Sequence, residues 1–492
     1  MALVLTIDMG TTNIKVGVVN EAGEILQMRS VALETISDEI GAAEHDPEKI
    51  KNILLGLCQQ VLTAEFRNEI NFIISSTYHF GLMMLDGQRK PLTNISLLTD
   101  TRSQKTFSNF LSVYENDVVY KKTGCPFLSQ YTLPRLFYFS KEKSELFRQA
   151  KFFHDSKSFL FEWLTGEWVT DMSTAASTQF FNTETYKWDE RLLSRIHLNS
   201  EQFPKVLDGT KFMAPLTNEL SQALGLKKNV QVILGVYDGA ALVIGMGGLE
   251  TNVGTINLGT TAMLRIPGKE MILDKNENKR IQSYVMQKTL FLNGGALNNA
   301  VLPLNWMQNN LFEANLQDDN FKKISEEPPL VCLPYLTGER DSKIGPYASG
   351  VFFGIRKNHS RIDFVRSVLE GVVYSMRYIY DALQENNMQI KDIRMGGGGI
   401  NIKGWPQLFA DMLAVPVKIP LGNEMALVGN AMIAFVKGEV FKDLEEAAQK
   451  MIKEIKHIYP DSKSVDIHYK RYQFFKKLRE TIGPLFKEHS KL

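Results

Sequence analysis

One short motif occurs twice, half a chain apart, and this repeat constrains the fold more than any other feature of the sequence. Residues 6–12 read TIDMGTT and residues 255–261 read TINLGTT in a chain of 492 residues. Apolar residues flank both copies, so each copy predicts a strand, a tight turn and a returning strand. The Thr-Ile pair before both copies and their separation indicate a duplicated architecture, in which each half presents one such hairpin.

The first hairpin has the residue types that hold a phosphate and a metal ion. Gly10 lets the backbone turn and approach a ligand, while turn amides and the Thr11 and Thr12 hydroxyls can donate to phosphate oxygens. An ionised Asp8 repels phosphate unless a cation lies between them, which indicates Mg²⁺ or its waters. Lys15, just past the turn, can reach a phosphate. An ordinary hairpin with a threonine-rich turn is the alternative for a single copy, and the repeat weakens it.

The second hairpin is similar but lacks the acidic residue. Asn257 stands where the first copy has Asp8, and Gly259, Thr260 and Thr261 form the turn. This copy therefore has the residue types of a phosphate holder without the metal function. We expect the two hairpins to bind one triphosphate together, with the metal ion at the first.

Length and charge restrict the class of protein. A chain of 492 residues is too long for one hydrophobic core, so we expect two domains, residues 1–243 and 244–492, divided near a glycine-rich stretch. The net charge of +1, from 56 basic and 55 acidic residues, gives no indication of a nucleic-acid or membrane partner. Three widely spaced cysteines, with no signal-peptide pattern and no long apolar run, predict a soluble protein of the reducing cytoplasm.

Predicted strands and helices alternate along the chain, which is typical of an α/β fold. Asp46 and Pro47 predict the start of a helix, and Ser360 with Asp363 predicts another through an aspartate version of the capping box. The C-terminal segment YKRYQFFKKLRETIGPLFKEH predicts a basic amphipathic helix that packs onto the body and leaves its charged face in solvent.

A second acidic residue, Asp238, follows an apolar strand near the predicted domain boundary. Such a carboxylate can take a proton from a substrate hydroxyl, or it can cap the next helix. The glycines at 396–399 can let a nucleotide approach the backbone, or they can form an ordinary loop. The chain has neither a GxxxxGK[ST] P-loop nor a strand-linked GxGxxG, which excludes the two common nucleotide-binding folds.

Three more polar residues are candidates for substrate binding. His79 lies just after a predicted strand and is either structural or a substrate contact. Asp100 and Arg102, in LLTDTRS, can bind sugar hydroxyls or pair with each other at the surface.

Longer motifs resemble the FGGY family of carbohydrate kinases over nearly the whole chain. GVFFGIRKNHSRIDFVRSVLE (350–370) fits the family's C-terminal signature, and PYLTGERD (334–341) and GGGINIKGW (397–405) lie where the family has its GER and adenosine motifs. The family's other signature is less well kept, since Arg135 replaces the usual lysine in YTLPRLFYF. The resemblance implies the two-domain α/β fold of actin, Hsp70 and sugar kinases, with duplicated ribonuclease H-like domains and a cleft between the lobes.

The resemblance also implies a role for each candidate residue. Asp238 becomes the general base and, with Asp8, a ligand of Mg²⁺. The implied contacts are phosphate binding by Gly10, Thr11, Thr12, Lys15, Gly259, Thr260 and Thr261, adenosine binding by Gly397, Gly398 and Gly399, and substrate binding by Tyr78, His79, Asp100, Arg102 and Asp238. The implied cofactors are ATP and Mg²⁺, the implied partner is a small sugar or sugar acid, and homodimers are common among such kinases.

The substrate motifs favour a sugar acid. Xylulose kinases usually have MHG, WNDGR and GDN, gluconate kinases tend to have MHS, WADNRS and SDG, and this chain has YHF, LTDTRS and YDG. The glycine after Asp238, the serine of LTDTRS and the segment GGALNNAV favour D-gluconate. D-xylulose or another pentulose or polyol is the alternative, because Leu98 replaces the usual tryptophan. With gluconate as substrate, Arg102 or Arg135 is expected to meet its carboxylate.

Two other classes use the same fold differently. Actin-like filaments and Hsp70-like chaperones use ATP to switch binding states, but they lack the acidic residue before the second hairpin and the 350–370 signature. A protein that binds sugar without phosphorylating it is a further alternative, which the presence of both Asp8 and Asp238 disfavours.

Overall fold

A computed structural model describes residues 2–311, 329–341, 343–422, 424–453 and 455–492. These residues form an α/β molecule of two lobes, each built on a mixed β-sheet with helices packed against it. The strands of the first half are β1 (Leu3–Met9), β2 (Asn13–Asn20), β3 (Ile25–Ala32), β4 (Glu44–His45), β5 (Ile70–Thr77), β6 (Met83–Leu85), β7 (Ile95–Ser96), β8 (Phe152–His154), β9 (Val169–Asp171), β10 (Phe181–Asn182), β11 (Lys187–Trp188), β12 (Lys205–Leu207), β13 (Met213–Pro215) and β14 (Gln231–Ile233). Those of the second half are β15 (Val253–Leu258), β16 (Ala262–Gly268), β17 (Gln282–Gln287), β18 (Leu290–Leu297), β19 (Val331–Pro334), β20 (Gly350–Phe353), β21 (Asp392–Gly396), β22 (Val417–Pro420) and β23 (Ile455–Ile458).

The helices differ in length between the two halves, and the two longest lie in the second. Those of the first half are α1 (Pro47–Val61), α2 (Ala64–Arg67), α3 (Phe107–Val113), α4 (Asn116–Thr123), α5 (Thr132–Glu142), α6 (Ser144–Gln149), α7 (Ser156–Thr165), α8 (Met172–Ala175), α9 (Glu190–Leu193), α10 (Asn218–Leu224) and α11 (Asp238–Gly245). Those of the second half are α12 (Leu302–Asn310), α13 (Arg361–Glu385), α14 (Trp405–Leu413), α15 (Met425–Lys437), α16 (Leu444–Met451) and α17 (Ser462–His489).

The two large sheets share one topology. Their strand orders are β13-β14-β5-β1-β2-β3 and β17-β18-β16-β15-β21-β22-β23. In each sheet an antiparallel hairpin, β1–β2 or β15–β16, is flanked by parallel strands, β5 and β14 or β21 and β22. The predicted duplication is therefore present in the fold.

The repeated motif occupies equivalent positions in the two sheets. Asp8 is the second-last residue of β1 and lies opposite Lys15 on β2 and Ser76 on β5. Asn257 is the second-last residue of β15 and lies opposite Met263 on β16 and Gly396 on β21. Because the parallel strands end at the same edge of each sheet, both turns project from the sheets on the side where ligands bind in such folds.

The predicted helix starts are confirmed. The Asp46 carboxylate accepts from the amides of Glu48 and Lys49 at the start of α1. At the start of α13, the Ser360 amide donates to Asp363 Oδ2 at 2.8 Å. The predicted C-terminal helix is α17, which buries aromatic and aliphatic residues and also two arginines, Arg471 and Arg479. Their partners are Glu370 at 2.9 Å and Asp341 at 2.5 Å.

Helices α11 and α15 pack against each other at an unusually close distance. A Cβ atom on Gly245 of α11 would lie 1.8 Å from the Met425 carbonyl oxygen, and one on Gly429 of α15 would lie 1.9 Å from that of Ala241. The backbones of α11 and α15 therefore touch, which only glycine permits. The predicted domain boundary at 243 and 244 falls inside α11.

Helix α15 belongs in sequence to the second half but packs on the sheet of the first lobe, against β1, β2 and β5. Asn430 Nδ2 donates to the Ile7 carbonyl oxygen at 3.0 Å and to Ser76 Oγ at 2.9 Å. The second half of the chain thus supports the strand that carries Asp8. No helix of the described residues combines the length and the apolarity needed to cross a membrane.

Candidate active site

A cavity of about 580 Å³ lies between the two hairpins, with walls from both halves of the chain. It is lined by residues of both hairpin turns, of the segment that follows β5, of the start of α11 and of the loop that follows β21. The predicted site residues on its wall are Asp8, Thr11, Lys15, Tyr78, His79, Asp238, Thr261, Gly397 and Gly398. Gly10, Thr12, Gly259, Thr260 and Gly399 lie in the same turns and loop but not on the wall.

Asp8 is held in place by the strand next to it. Ser76 Oγ donates to Asp8 Oδ1 at 2.7 Å, and Asn430 in turn donates to Ser76. Burial raises the pKa of the Asp8 carboxyl, while this hydrogen bond and the charge of Lys15 act in the opposite direction. Asp8 is therefore a nearly buried carboxylate with one oriented oxygen.

Asp238 is the first residue of α11, directly after the N-cap residue Tyr237. Its carboxylate accepts from the Gly239 amide at 2.7 Å, so it satisfies one amide of the first helical turn and also lines the cavity. Burial and then the charge of Asp8 raise the pKa of Asp238 to about 7, against the charge of Lys157. A carboxylate that titrates near neutral pH is suited to general-base catalysis.

The two carboxylates suit a divalent cation. Among the residues that the structure describes, no group of three or more His, Cys, Asp or Glu side chains surrounds a common point. Mg²⁺ is usually bound by one or two carboxylates together with water and substrate phosphates. Asp8 and Asp238 line one cavity, and the charge of Asp8 raises the pKa of the buried Asp238 carboxyl. A cation near both carboxylates would relieve this repulsion.

The turn of the first hairpin meets a residue from the other half of the chain. Lys15 Nζ lies 2.5 Å from Glu424 Oε2, and both side chains are partly exposed on the cavity wall. Gly10 has no positive φ, so its backbone conformation alone does not require glycine. A Cβ atom there would lie 3.2 Å from the Asn13 carbonyl oxygen, and lack of room is the remaining reason for glycine.

The glycine-rich loop after β21 packs against the second hairpin. Gly397 has a φ of +89°, and a Cβ atom there would lie 2.6 Å from both Asn257 Oδ1 and the Leu258 carbonyl oxygen. A Cβ atom on Gly398 would meet nothing within 4 Å, because this residue borders the cavity. Gly397 is thus required by the fold, whereas Gly398 leaves space in the cavity.

The segment after β5 carries two of the expected substrate residues. His79 Nε2 donates to the Ser173 carbonyl oxygen at 2.9 Å, and its ring stacks on Tyr237 at 3.7 Å between centroids. Burial lowers the pKa of His79 well below its usual value, so the ring is neutral. The Tyr78 hydroxyl lies 3.2 Å from His45 Nδ1. Phe80, with a φ of +67°, adopts a conformation that non-glycine residues avoid, which is typical of functional segments.

Asp100 and Arg102 lie outside the cavity wall and bind each other instead. Arg102 Nε donates to Asp100 Oδ2 at 3.0 Å, and the same guanidinium contacts Glu44 of β4. The pair is buried, whereas the sequence allowed either a sugar contact or a surface pair. Arg135 is also buried, and it donates to Ser96 Oγ and to the carbonyl oxygens of Leu97 and Phe80. Neither guanidinium lies on the cavity wall, so a contact of Arg102 or Arg135 with a substrate carboxylate stays a prediction.

Several cavity residues had no prediction from sequence. Arg265, Tyr284, Arg340 and Glu424 line the cavity. Lys157 on α7 lies beneath it and donates to the carbonyl oxygens of Leu234 and Val236, at 3.0 and 3.1 Å, and of Ser75. A lone charged residue in the apolar segment AMLRIPG, and another in SKSFLF, were the available signals for Arg265 and Lys157.

Comparison with known proteins supports the same interpretation. Residues 3–245 match the model of the N-terminal domain of the FGGY family of carbohydrate kinases, and residues 254–438 match the model of its C-terminal domain. The chain belongs to the FGGY family of carbohydrate kinases. The resemblance inferred from the sequence is thereby confirmed, and this member is a sugar phosphotransferase that acts on a small-molecule sugar.

The relatives of this FGGY kinase include both gluconate kinases and xylulose kinases. Gluconokinase of Bacillus subtilis is 25% identical over 467 residues, which cover 91% of this chain and 90% of that protein. A ligand-bound xylulose kinase and a gluconate kinase, both from Lactobacillus acidophilus, are each 26% identical and cover 99% of this chain and 100% of theirs. Their TM-scores are 0.93 and 0.92, which confirms the predicted two-domain sugar-kinase fold.

Proposed function

We propose that this FGGY kinase transfers the γ-phosphoryl group of ATP to a terminal hydroxyl of a sugar acid, D-gluconate. The observation that carries the proposal is the position of Asp238, whose pKa is about 7, on the wall of the cavity that also contains both hairpin turns. A base, two sets of turn amides and an acceptor pocket in one cavity are the parts that an in-line transfer requires.

Each residue has a separate task in this mechanism. Asp238 accepts the proton of the sugar hydroxyl as its oxygen attacks the γ-phosphorus. The amides and hydroxyls of the turns at 10–12 and 259–261 donate to the phosphate oxygens, with Lys15 as a cation beside them. Asp8 and Asp238 are the residues that would hold Mg²⁺, which when bound offsets the negative charge of the phosphates. Closure of the lobes excludes water, which otherwise competes as the acceptor.

The choice of gluconate over xylulose rests on the substrate motifs and on the charge of the cavity. The glycine after Asp238 and the GGALNNAV segment favour a gluconate type. Arg265 and Arg340 line the cavity, and neither makes an ion pair with a carboxylate in the described part of the chain. D-xylulose is the second candidate, because the xylulose kinase of Lactobacillus acidophilus is as similar as the gluconate kinase. Leu98 on the cavity wall in place of a tryptophan also leaves the pocket open to other pentuloses or polyols.

A coupled assay of ADP release tests the proposal. The purified chain is given ATP and Mg²⁺ with D-gluconate, D-xylulose, L-ribulose, L-xylulose, glycerol or L-fuculose in turn. We expect turnover with gluconate to exceed that with every neutral sugar, and little turnover without sugar. Highest turnover with D-xylulose would replace gluconate by the second candidate. ATP turnover that is independent of all acceptors would instead indicate a nucleotide-driven switch protein.

A further inference from the structure

The wall of the cavity that the second half contributes carries two guanidinium groups that make no ion pair with a described carboxylate. Arg265 lies on β16, and Arg340 lies in the loop after β19. Buried Arg280 has an acidic partner, Asp274, at 2.8 Å, whereas buried Arg135 lies away from the cavity wall and is held by a hydroxyl and by backbone carbonyl oxygens. A buried charge without a counter-charge is costly, so an unpaired guanidinium in a cavity indicates an anionic ligand.

Arg265 is the less compensated of the two. It is 1% exposed, and Nη1 and Nη2 donate only to the Leu264 carbonyl oxygen at 3.2 Å and to Gln282 Oε1 at 3.4 Å. Its Nε makes no hydrogen bond to a described residue. Arg340 is half-buried and donates to Asn298 Oδ1 at 2.8 Å, and its charge acts to lower the pKa of the neighbouring Glu339 carboxyl, against the larger effect of burial.

The surroundings of Arg265 are those of an acceptor pocket. Its guanidinium lies 5.0 Å from the centroid of the Tyr284 ring. It also lowers the pKa of the Tyr237 hydroxyl against the larger effect of burial, although that hydroxyl makes no hydrogen bond of ordinary geometry to a described residue. The ring of His79 stacks on Tyr237. After burial, the charges of Arg265 and Arg340 also lower the pKa of His79. The rings of Tyr284, Tyr237 and His79 thus lie around the Arg265 guanidinium, whose Nε is available to donate to a polar ligand.

The charges of the cavity are divided between two ends. Asp8 and Asp238 form an acidic end, which suits a cation and a hydroxyl that loses its proton. Lys15 is paired with Glu424, so it contributes no free charge before a phosphate arrives. Arg265 and Arg340 are then the cations of the wall that make no ion pair with a carboxylate of the described residues. A substrate with a hydroxyl at one terminus and a carboxylate at the other satisfies both ends.

We propose that Arg265, assisted by Arg340, binds the carboxylate of an aldonic acid and thereby sets the preference of this kinase for sugar acids over neutral sugars. This inference rests on the proposed function, since it assigns the acid group of the acceptor to a residue. This assignment takes the place of the prediction that Arg102 or Arg135 meets the carboxylate, because neither residue is on the cavity wall.

The test compares gluconate with its neutral reduction product D-glucitol in the wild type, Arg265→Gln and Arg265→Lys. Glutamine keeps much of the length of arginine and removes the charge, and lysine keeps the charge. We expect Arg265→Gln to lower kcat/KM for gluconate about 10²-fold, with a small effect on glucitol, and Arg265→Lys to recover part of the loss. Arg471→Gln is the matched control, because it removes a buried guanidinium of α17, paired with Glu370, that is not on the wall of this cavity, and it should leave the sugar preference unchanged.

The outcomes separate this assignment from the proposed function. The wild type alone decides whether gluconate is the substrate. An unchanged gluconate-to-glucitol ratio in a folded Arg265→Gln overturns the assignment while the function stands. If the wild type phosphorylates only D-xylulose, gluconate is tested as a competitive inhibitor. Inhibition that weakens in Arg265→Gln supports the anion site, and absence of inhibition or equal inhibition overturns it.

The terminal phosphate of the nucleotide is the other anion that enters this cavity. Binding of a non-hydrolysable ATP analogue to the wild type and to Arg265→Gln distinguishes it from the sugar carboxylate. We expect equal dissociation constants for the two proteins. A loss of analogue affinity as large as the loss for gluconate would place a phosphate at Arg265 and overturn the assignment.

Discussion

At the scale of single residues, Asp238 has a raised pKa and lines the same cavity as the two hairpin turns. Replacement by asparagine keeps the size of the side chain and removes the base. We expect Asp238→Asn to lower kcat by about 10²–10⁴, the usual value of a positioned base, and to leave ATP affinity little changed. Steady-state kinetics with the accepted sugar, together with a nucleotide-binding titration, measure both quantities. Near-normal turnover would remove Asp238 from the mechanism.

The same residue predicts a pH dependence of catalysis. Only the ionised carboxylate accepts a proton, and burial with the charge of Asp8 raises the pKa of Asp238 to about 7. We therefore expect kcat/KM for the sugar to fall as the pH drops, with an apparent pKa at or below about 7, because a bound cation favours the ionised form. The residual kcat/KM of Asp238→Asn should not show this fall at low pH. A wild-type profile that is flat between pH 5 and 8 would contradict the assignment.

We also expect the ionised carboxylate of Asp238 to lower the free energy of unfolding. Its pKa is about 7 in the folded chain against 3.8 for an exposed aspartate, so the folded state binds the proton more tightly. Stability is therefore lost as the pH rises through this interval, and asparagine avoids the loss. Without Mg²⁺ at pH 8, we expect Asp238→Asn to be more stable by about 1–4 kcal/mol, a difference that shrinks at pH 4. Thermal unfolding at pH 8 and at pH 4 measures this difference in stability. An Asp238→Asn variant less stable than the wild type at pH 8 would contradict the prediction.

At the scale of secondary-structure elements, the crossing of α11 and α15 depends on glycine. A Cβ atom on Gly429 would lie 1.9 Å from the Ala241 carbonyl oxygen and 2.7 Å from the Gly245 amide nitrogen. Both contacts involve backbone, so the helices must separate. We expect Gly429→Ala to lower the apparent Tm by several degrees, since overpacking costs about 1–3 kcal/mol.

A second glycine provides the control for this crossing. Gly56 lies inside α1, and a Cβ atom there would meet nothing within 4 Å. Because alanine favours helix more than glycine does, Gly56→Ala should stabilise the fold by up to about 0.5–1 kcal/mol, so Tm should stay unchanged or rise slightly. Scanning calorimetry of both variants makes the comparison. Equal Tm values would show that α11 and α15 can move apart without cost.

The sequence predicted the elements that depend on local or repeated patterns. The twin hairpins follow from one motif seen twice, the start of α1 follows from Asp46 and the adjacent Pro47, and that of α13 from Ser360 and Asp363 three positions apart. Arg102 could not be placed in this way, because its partner Glu44 comes from β4, far along the chain. For Arg265 the sequence shows a charge in an apolar strand. Its lack of an acidic partner appears only when the surrounding elements are assembled.

At the scale of the whole molecule, the cavity needs both halves of the chain. The first half supplies Asp8 and Asp238, and the second supplies Arg265, the loop at 397–399 and Glu424. The pair formed by Lys15 and Glu424 joins them across the cavity. The repeated topology explains this arrangement, because two similar sheets that face each other bring both turns to one place. Neither half on its own contains the site.

The position of α15 has a consequence for how the protein is made. A ribosome releases the strands of the first sheet long before it reaches residues 425–437. Until then the face of β1 and β5 that α15 later covers stays bare, and the Ile7 carbonyl oxygen lacks the amide of Asn430. The strand that carries Asp8 therefore reaches its final packing only after residues 425–437 of the 492-residue polypeptide have been synthesised.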